Sequence, residues 1–278
     1  MTAELTDPPT ALPDEQPVAA RPRRSPGARV ALVLGVAVLV LTVLYGAMVV
    51  LALMSHRHDS RSMPLPGVPA RLAVQVNGDV QVDAAPPGTA PALTVRRRWT
   101  WSSPTVRTSR VGDELSVTSS CVQVGPLFCG TDVVLLVPAD TAVTVHSTNG
   151  SVRVSGLRTD ADLASDAGSV SATDVRAGHL RMRSNDGSVR GVGLAVPDVV
   201  AASDAGAVRL DLTLEPTRVL ASSNDGSVRI AVPSGSAGYR TEVHSNDGRR
   251  TVDVRRDDAS DRLLRASSDA GSVTITYR

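Results

Sequence analysis

The sequence predicts an all-β fold: a β-solenoid of about seven or more turns, each of ~20 residues, preceded by a single N-terminal transmembrane helix. Three observations carry this. A Ser-x-x-Gly turn recurs down the C-terminal half, apolar residues alternate around it, and one long apolar run stands near the N-terminus.

The turn glycines are Gly150, Gly168, Gly187, Gly206, Gly226, Gly248 and Gly271, at spacings of 18, 19, 19, 20, 22 and 23 residues. Three residues before each stands a serine: Ser147, Ser165, Ser184, Ser203, Ser223, Ser245 and Ser268. Asn-Asp-Gly and Asp-Ala-Gly are turn chemistry, in which glycine is expected to supply positive φ and Asn or Asp to bond its own backbone. Two residues after glycine stand Val152, Val170, Val189, Val208, Val228 and Val273; five before it stand Val145, Leu163, Met182, Ala201, Ala221, Val243 and Ala266. Period-two patterning is that of strands, so each copy reads strand, loop, strand, turn. One copy cannot bury its own apolar face, whereas stacked copies can. At strand spacing of about 4.8 Å, seven turns span roughly 34 Å. The turn serines share parity with the inward apolar residues and are expected to form a hydrogen-bonding ladder.

Taken in order, residues 1–29 are Pro-rich and polar and are expected to be a disordered cytoplasmic tail. Residues 30–54 are uncharged and mostly apolar, long enough to cross a bilayer. Arg21, Arg23, Arg24 and Arg29 precede this run and only Arg57 and Arg61 follow closely, which places the N-terminus in the cytoplasm and the rest outside. A cleaved signal peptide competes, but its apolar core is shorter and ends in a small-x-small site. The expected localisation is therefore the cell membrane, single pass, with an extracytoplasmic C-terminal domain.

Residues 55–71 read as an extracytoplasmic stalk, in which His56 and His58 are too few for a metal site. Residues 72–278 form the solenoid domain. Leu72–Val82, with Asn77-Gly78 at its centre, reads as a hairpin or equally as a first solenoid turn. Trp99 and Trp101 share one strand face beside Arg96–Arg98; they read as a cap on the open end in preference to a ligand platform. Cys121 and Cys129 are the only cysteines, and an even count outside the membrane favours a disulfide. Closing so short a loop contributes roughly 2–3 kcal/mol.

Membrane anchor, β segment, Cys pair, the run Val133–Pro138 and the Ser-x-x-Gly-x-Val copies together resemble the bacterial putative-adhesin domain family, over about Leu72 to Arg278. The resemblance implies a β-solenoid envelope domain with no assigned activity. One copy departs: Arg250 replaces the usual valine after Gly248, which puts its regular stacking in question. The lysine-free, Ala/Val/Arg-rich composition is similar to that of high-GC actinobacteria.

The net charge of +1 implies no general attraction to nucleic acid. No serine stands at fixed spacing from a His and an Asp, and His146, His179 and His244 fall in different copies, so no catalytic residue is assigned. No cofactor is expected. Six turns carry an acid, Asp166, Asp186, Asp204, Asp225, Asp247 and Asp269. Stacked about 5 Å apart, such charges repel by roughly 1 kcal/mol in water. Arg153, Arg190, Arg209 and Arg229 are expected to neutralise them, leaving at most a weak Ca²⁺-binding edge. The expected role is non-enzymatic: adhesion or cell-envelope organisation, with a cell-wall glycan or surface protein as partner. An extracytoplasmic sensor is the alternative. A polysaccharide-active β-helix enzyme is disfavoured by an aromatic content of 2%.

Overall fold

The computed structural model describes residues 26–54, 57–65, 67, 69–100, 102–121, 129–235 and 238–278. Residues 1–25, where the tail is expected, His56, Trp101 and residues 122–128 lie outside them. The chain divides into two compact units, Met1–Val50 and Leu51–Arg278.

The first is built on helix α1 (Pro26–Met54). It starts four residues ahead of the apolar run, with proline at its first position, where the missing N–H costs nothing. Val30–Leu51, 22 residues, is long and apolar enough to cross a membrane, a property it shares with signal sequences. It is apolar all round rather than on one stripe, and Thr42 donates its hydroxyl to the Val38 carbonyl at 2.8 Å, so that polar group is satisfied within the helix.

From Arg57 onward the regular elements described in the second unit are all β-strands. Its N-terminal part holds β1 (Arg57–Pro64), β2 (Arg71–Val76), β3 (Val80–Ala84), β4 (Ala92–Trp99), β5 (Thr105–Val111), β6 (Glu114–Ser120) and β7 (Cys129–Val137). Each Ser-x-x-Gly copy then supplies two strands, one on each side of its turn. They are β8 (Ala142–Ser147) and β9 (Val152–Ser155), β10 (Ala161–Ser165) and β11 (Val170–Thr173), and β12 (His179–Ser184) and β13 (Val189–Leu194). Next come β14 (Asp198–Ser203) and β15 (Val208–Leu212), and β16 (Arg218–Ser223) and β17 (Val228–Val232). The last are β18 (Arg240–Ser245) and β19 (Arg250–Asp253), and β20 (Leu263–Ser268) and β21 (Val273–Tyr277).

The strands before the turns lie in one sheet and those after them in another. The first sheet runs β18-β20-β16-β14-β12-β10-β8-β2-β6-β5 and the second β1-β4-β7-β3-β9-β11-β13-β15-β17-β21-β19. Both are mixed: copies pair in parallel with their neighbours, whereas β1, β4 and β5 pair antiparallel at one end. The architecture is thus less uniform than the seven-turn solenoid expected from the repeat.

Within the parallel part the register keeps like residues together. Val170 pairs with Val152 and Val189, Val208 with Val189 and Val228, and Val228 with Val273. These valines are buried, as are Leu163, Met182, Ala201 and Ala221 facing them from the other sheet. Each fully buried Val or Leu contributes about 1.5–3 kcal/mol. Leu157, Val175 and Val196 close the corner opposite the turns and are also fully buried. That corner absorbs the changing copy length; the Ser-x-x-Gly corner is constant.

Sequential stacking fails at both ends. The last copy, β20 and β21, inserts between the fifth copy and the sixth, so β18 and β19 become the outer edge. Side-chain polarity gives the reason. The sixth copy has Thr241 in register with Leu264 and Arg250 in register with Val273. Burying an arginine between two strands is costly, whereas at an edge Arg250 is exposed. The last copy supplies Leu264, Ala266, Val273 and Ile275, all fully buried. At the other end β2 and β3 sit between β6–β7 and β8–β9. Asn77-Gly78 is therefore a stacking turn between two sheets, not the turn of a hairpin.

The stalk expected over 55–71 is also corrected. Arg57–Pro64 is strand β1, paired along its whole length with β4. Its Asp59 forms an ion pair with Arg97, and Ser62 and Thr94 share a hydrogen bond of 2.8 Å. Polar side chains concealed this strand because both of its faces are largely open.

The end insertion predicts an exchange pattern. Amides of Leu263–Ser268 and Val273–Tyr277 should exchange with deuterium more slowly than those of Arg240–Ser245 and Arg250–Asp253, although the former end the chain. Faster exchange in the last copy would indicate sequential stacking instead.

Candidate functional site

The constant corner is a repeated backbone node. Ser184 Oγ donates to the Gly168 carbonyl of the preceding copy at 2.8 Å and accepts from the Gly187 N–H of its own turn at 2.8 Å. The same pair of bonds holds Ser165 between Gly150 and Gly168, Ser203 between Gly187 and Gly206, and Ser223 between Gly206 and Gly226. Ser147 reaches Gly78, which ties the Asn77-Gly78 turn into the series. Ser268 reaches Gly226 and Ser245 reaches Gly271, following the inserted order.

The glycines are needed for a different reason than expected. Gly150, Gly168, Gly187, Gly206, Gly226, Gly248 and Gly271 do not have positive φ; in this series only Gly78 does, at 153°. Instead, a Cβ on each would overlap the carbonyl of the glycine stacked beneath it. Close approach of one backbone to the next excludes every other residue.

The turn acids stand at the exposed rim of this corner. Asp166 lies 3.4 Å from His146, Asp204 lies 4.0 Å from Arg183, and Asn246 donates to Asp269 at 3.3 Å. Asp186, Asp225 and Asp247 are exposed. Among the described residues no group of three or more His, Cys, Asp or Glu is gathered to hold a metal.

The two outer faces differ in charge. On the first sheet a groove of about 460 Å³ is lined by Asp160, Asp162, His179, Arg181, Asp198 and Arg218. His179 stands between Asp160 and Asp198, 3.5 Å from each, and Arg218 clasps Asp198 through two nitrogens at 2.9 and 2.8 Å. That clasp raises the Arg218 pKa, through its hydrogen bonds first and its charge second. Arg265 likewise bonds Glu242 at 2.6 Å. This face is free of arginines that neighbour one another in register across its copy strands.

The second face is not. Arg190, Arg209 and Arg229 occupy one register column on adjacent strands, and Arg153 joins it across Ser171. All four are exposed. The expected neutralisation of the turn acids does not occur: among the described residues none of the four approaches a carboxylate within 4.0 Å. The single acid on these central strands, Asp211, is engaged by Arg278 at 3.0 Å. Neighbouring charges about 5 Å apart repel by roughly 1 kcal/mol even in water, so the row is held by the backbone against its own electrostatics.

At the β4 end, Cys121 and Cys129 are joined in a disulfide with Cα atoms 5.9 Å apart. A second cavity of about 410 Å³ lies beside it, lined by Asn77, Asp79, Arg98, Asp132 and Asn149 among others. Arg98 grips Asp132 through one nitrogen, at 3.0 and 2.7 Å from its two oxygens. Trp99 is half-buried at the end of β4, with the Arg97 guanidinium 6.0 Å from its ring centre. Arg97 also holds the Asp59 carboxyl below the usual carboxylate range, chiefly through its hydrogen bond.

Parity in the sequence points to the serine ladder; constant spacing marks the arginine column but not its surroundings, which do not include the turn acids. The Asp160–His179–Asp198 grouping has no sequence signal, because these residues occupy one register row in three successive copies of unequal length.

The node predicts a stability ranking. Gly187→Ala should cost at least about 1–3 kcal/mol by overpacking, and Ser184→Ala about 1–3 kcal/mol through two unsatisfied backbone groups. Asp186→Ala on the rim should stay within about 0.5 kcal/mol. Urea unfolding reads all three, and equal costs would remove the special role of the node.

A model of the family described as Toastrack DUF4097 matches residues 134–277. The solved structure of a putative adhesin from Bacteroides fragilis NCTC 9343 superimposes with a TM-score of 0.52 at 14% identity, covering 80% of this chain and 97% of the other. A putative adhesin from Parabacteroides distasonis ATCC 8503 gives 0.44 at 9% identity, covering 79% and 97%. A putative lipid binding protein from the same organism gives 0.38 at 11%, covering 79% and 96%. At such identities the first likeness shows the fold alone. No curated protein matches. The resemblance read from the Cys pair and the repeated turns is the one found, and with more than half of its length matched the chain belongs to the Toastrack DUF4097 family, a putative-adhesin domain family of unknown function.

Proposed function

We propose that this chain is a single-pass membrane protein whose extracytoplasmic β-solenoid works without catalysis, in adhesion or in organising the cell envelope. The observation that carries the reading is the register-locked stack: like residues align over many strands, so each outer face presents long, fixed columns of side chains. Such faces suit extended ligands better than small substrates. The apolar Val30–Leu51 span and the arginines before it support an anchor with a cytoplasmic N-terminal tail over residues 1–29. The disulfide supports an oxidising compartment. Because β1 joins the sheet, the folded body begins at Arg57 and not at residue 72. A cell-wall glycan or a surface protein is the partner class.

Protease added to intact spheroplasts should digest the β unit and spare an N-terminal tag. Loss of the tag with survival of the β unit would reverse the orientation.

Weak calcium binding at Asp166, Asp186, Asp204, Asp225, Asp247 and Asp269 is a secondary part of the proposal. A ligand taken only by the folded state raises the melting midpoint. Millimolar calcium should therefore raise it slightly over chelator, and an unchanged midpoint removes calcium from the account.

A further inference from the structure

The geometry points to the arginine column of the second sheet as a docking surface for a linear anionic polymer whose charges are phosphodiesters. This deepens the envelope reading above and rests on the extracytoplasmic placement of the β unit.

The five strands β9, β11, β13, β15 and β17 carry four arginines and one aspartate. Arg278 occupies the aspartate, so the four arginines are left without an acidic partner among the described residues. By contrast, Arg183, Arg218 and Arg265 on the first sheet each stand beside an acid. Arg181 and Arg240 on that sheet also lack an ion pair among the described residues, but no two arginines are register neighbours there, whereas Arg190, Arg209 and Arg229 are.

The column has the dimensions of a polymer site. At about 4.8 Å per strand, Arg190 to Arg229 spans roughly 10 Å and Arg153 to Arg229 roughly 19 Å. A single ion meets only one or two guanidinium groups over that length, whereas a chain bearing charge at intervals meets all four. Guanidinium forks match phosphate oxygens in pairs and are more weakly hydrated than ammonium groups. Two residues before Arg153, Ser171, Arg190 and Arg229 stand Ser151, Ser169, Ser188 and Ser227, whose hydroxyls can donate to the same oxygens; the place before Arg209 is Ala207. Asp186, Asp204 and Asp225 stand four or five positions before Arg190, Arg209 and Arg229 and repel any anion that strays to the rim, which keeps the polymer on the column.

The column also tolerates replacement. Ser171 lies between Arg153 and Arg190, and Thr274 pairs with Arg229. Threonine is therefore compatible with the strand, and the arginines are not needed to build it.

The test uses the full chain in neutral detergent, with poly(glycerol phosphate) as probe and binding followed against salt. The parent should bind, with affinity falling steeply as salt rises. The R190T/R209T/R229T variant should melt no lower than the parent and bind at least tenfold more weakly, with its log–log salt slope reduced by about 2, at ~0.7 per lost contact. R181T/R183T/R265T, which removes equal charge from the other face, should bind as the parent does. Replacing the three column arginines by lysine should preserve the slope and weaken binding, which keeps the test open if the threonine variant does not fold. Equal loss from both faces would make the effect general charge and overturn the proposal. So would equal affinity for polygalacturonate, a carboxylate chain, or for phosphatidylglycerol vesicles. Retention on purified cell walls is measured in parallel. Wall retention that survives in the column variant sinks the polymer site and leaves the envelope reading standing, and a parent that binds poly(glycerol phosphate) but not walls does the reverse.

Discussion

One serine hydroxyl per copy, lodged between two glycine backbones, is the constraint on which the rest of the β unit depends. It donates to the carbonyl of the glycine below and accepts from the N–H of its own glycine. Both bonds are buried with the serine, so loss of the hydroxyl strands two backbone groups at once. Close approach is possible only because neither glycine has a Cβ. The node therefore fixes the register of one turn on the next to the residue. With the register fixed, valine meets valine in the inward column and arginine meets arginine in the outward one. Hydrophobic burial stabilises the stack, but it is the node that chooses which apolar residues meet.

The node is the same in every copy, so it does not specify the order of copies. Order is set by what each copy brings to the inward columns. The sixth copy keeps its serine and glycine and still stacks, with Ser245 on Gly271, yet it lies outermost. Arg250 and Thr241 would be buried with partners on both sides and are tolerable with a partner on one. The last copy, apolar at all the corresponding positions, fills the place that sequence order would have given to the sixth. A polar edge also limits further growth of the sheet, as exposed edge strands generally require.

Much of this was legible in the residues. Period-two alternation located both strands of each copy, constant spacing located the turn, and serine parity announced the ladder. What was not legible has physical reasons. Positive φ and steric exclusion both select glycine, so the residue alone does not distinguish them. Leu157, Val175 and Val196 close the variable corner, where unequal lengths destroy the alignment that revealed the other columns. Strand β1 has no buried face for a hydrophobic pattern to record; it is held by backbone pairing and by polar contacts such as Asp59 with Arg97. Chain order at the ends is a competition between copies, and a competition is invisible when each copy is read by itself.

The same constraint bears on where function resides. Inward positions are committed to packing and the turn serines and glycines to the node, so a copy can vary freely only on its outer faces and its variable corner. On the first sheet that freedom yields opposite charges facing one another, as in Asp160, His179, Asp198 and Arg218. Pairs of this kind, largely exposed, add little to stability. On the second sheet it yields like charges in line, which subtract from stability. Folding does not require the second arrangement, since Ser171 and Thr274 occupy the same column without harm to the ladder. A feature that the fold tolerates but does not require, repeated on adjacent strands at the pitch the node imposes, is best accounted for by what approaches that face from outside.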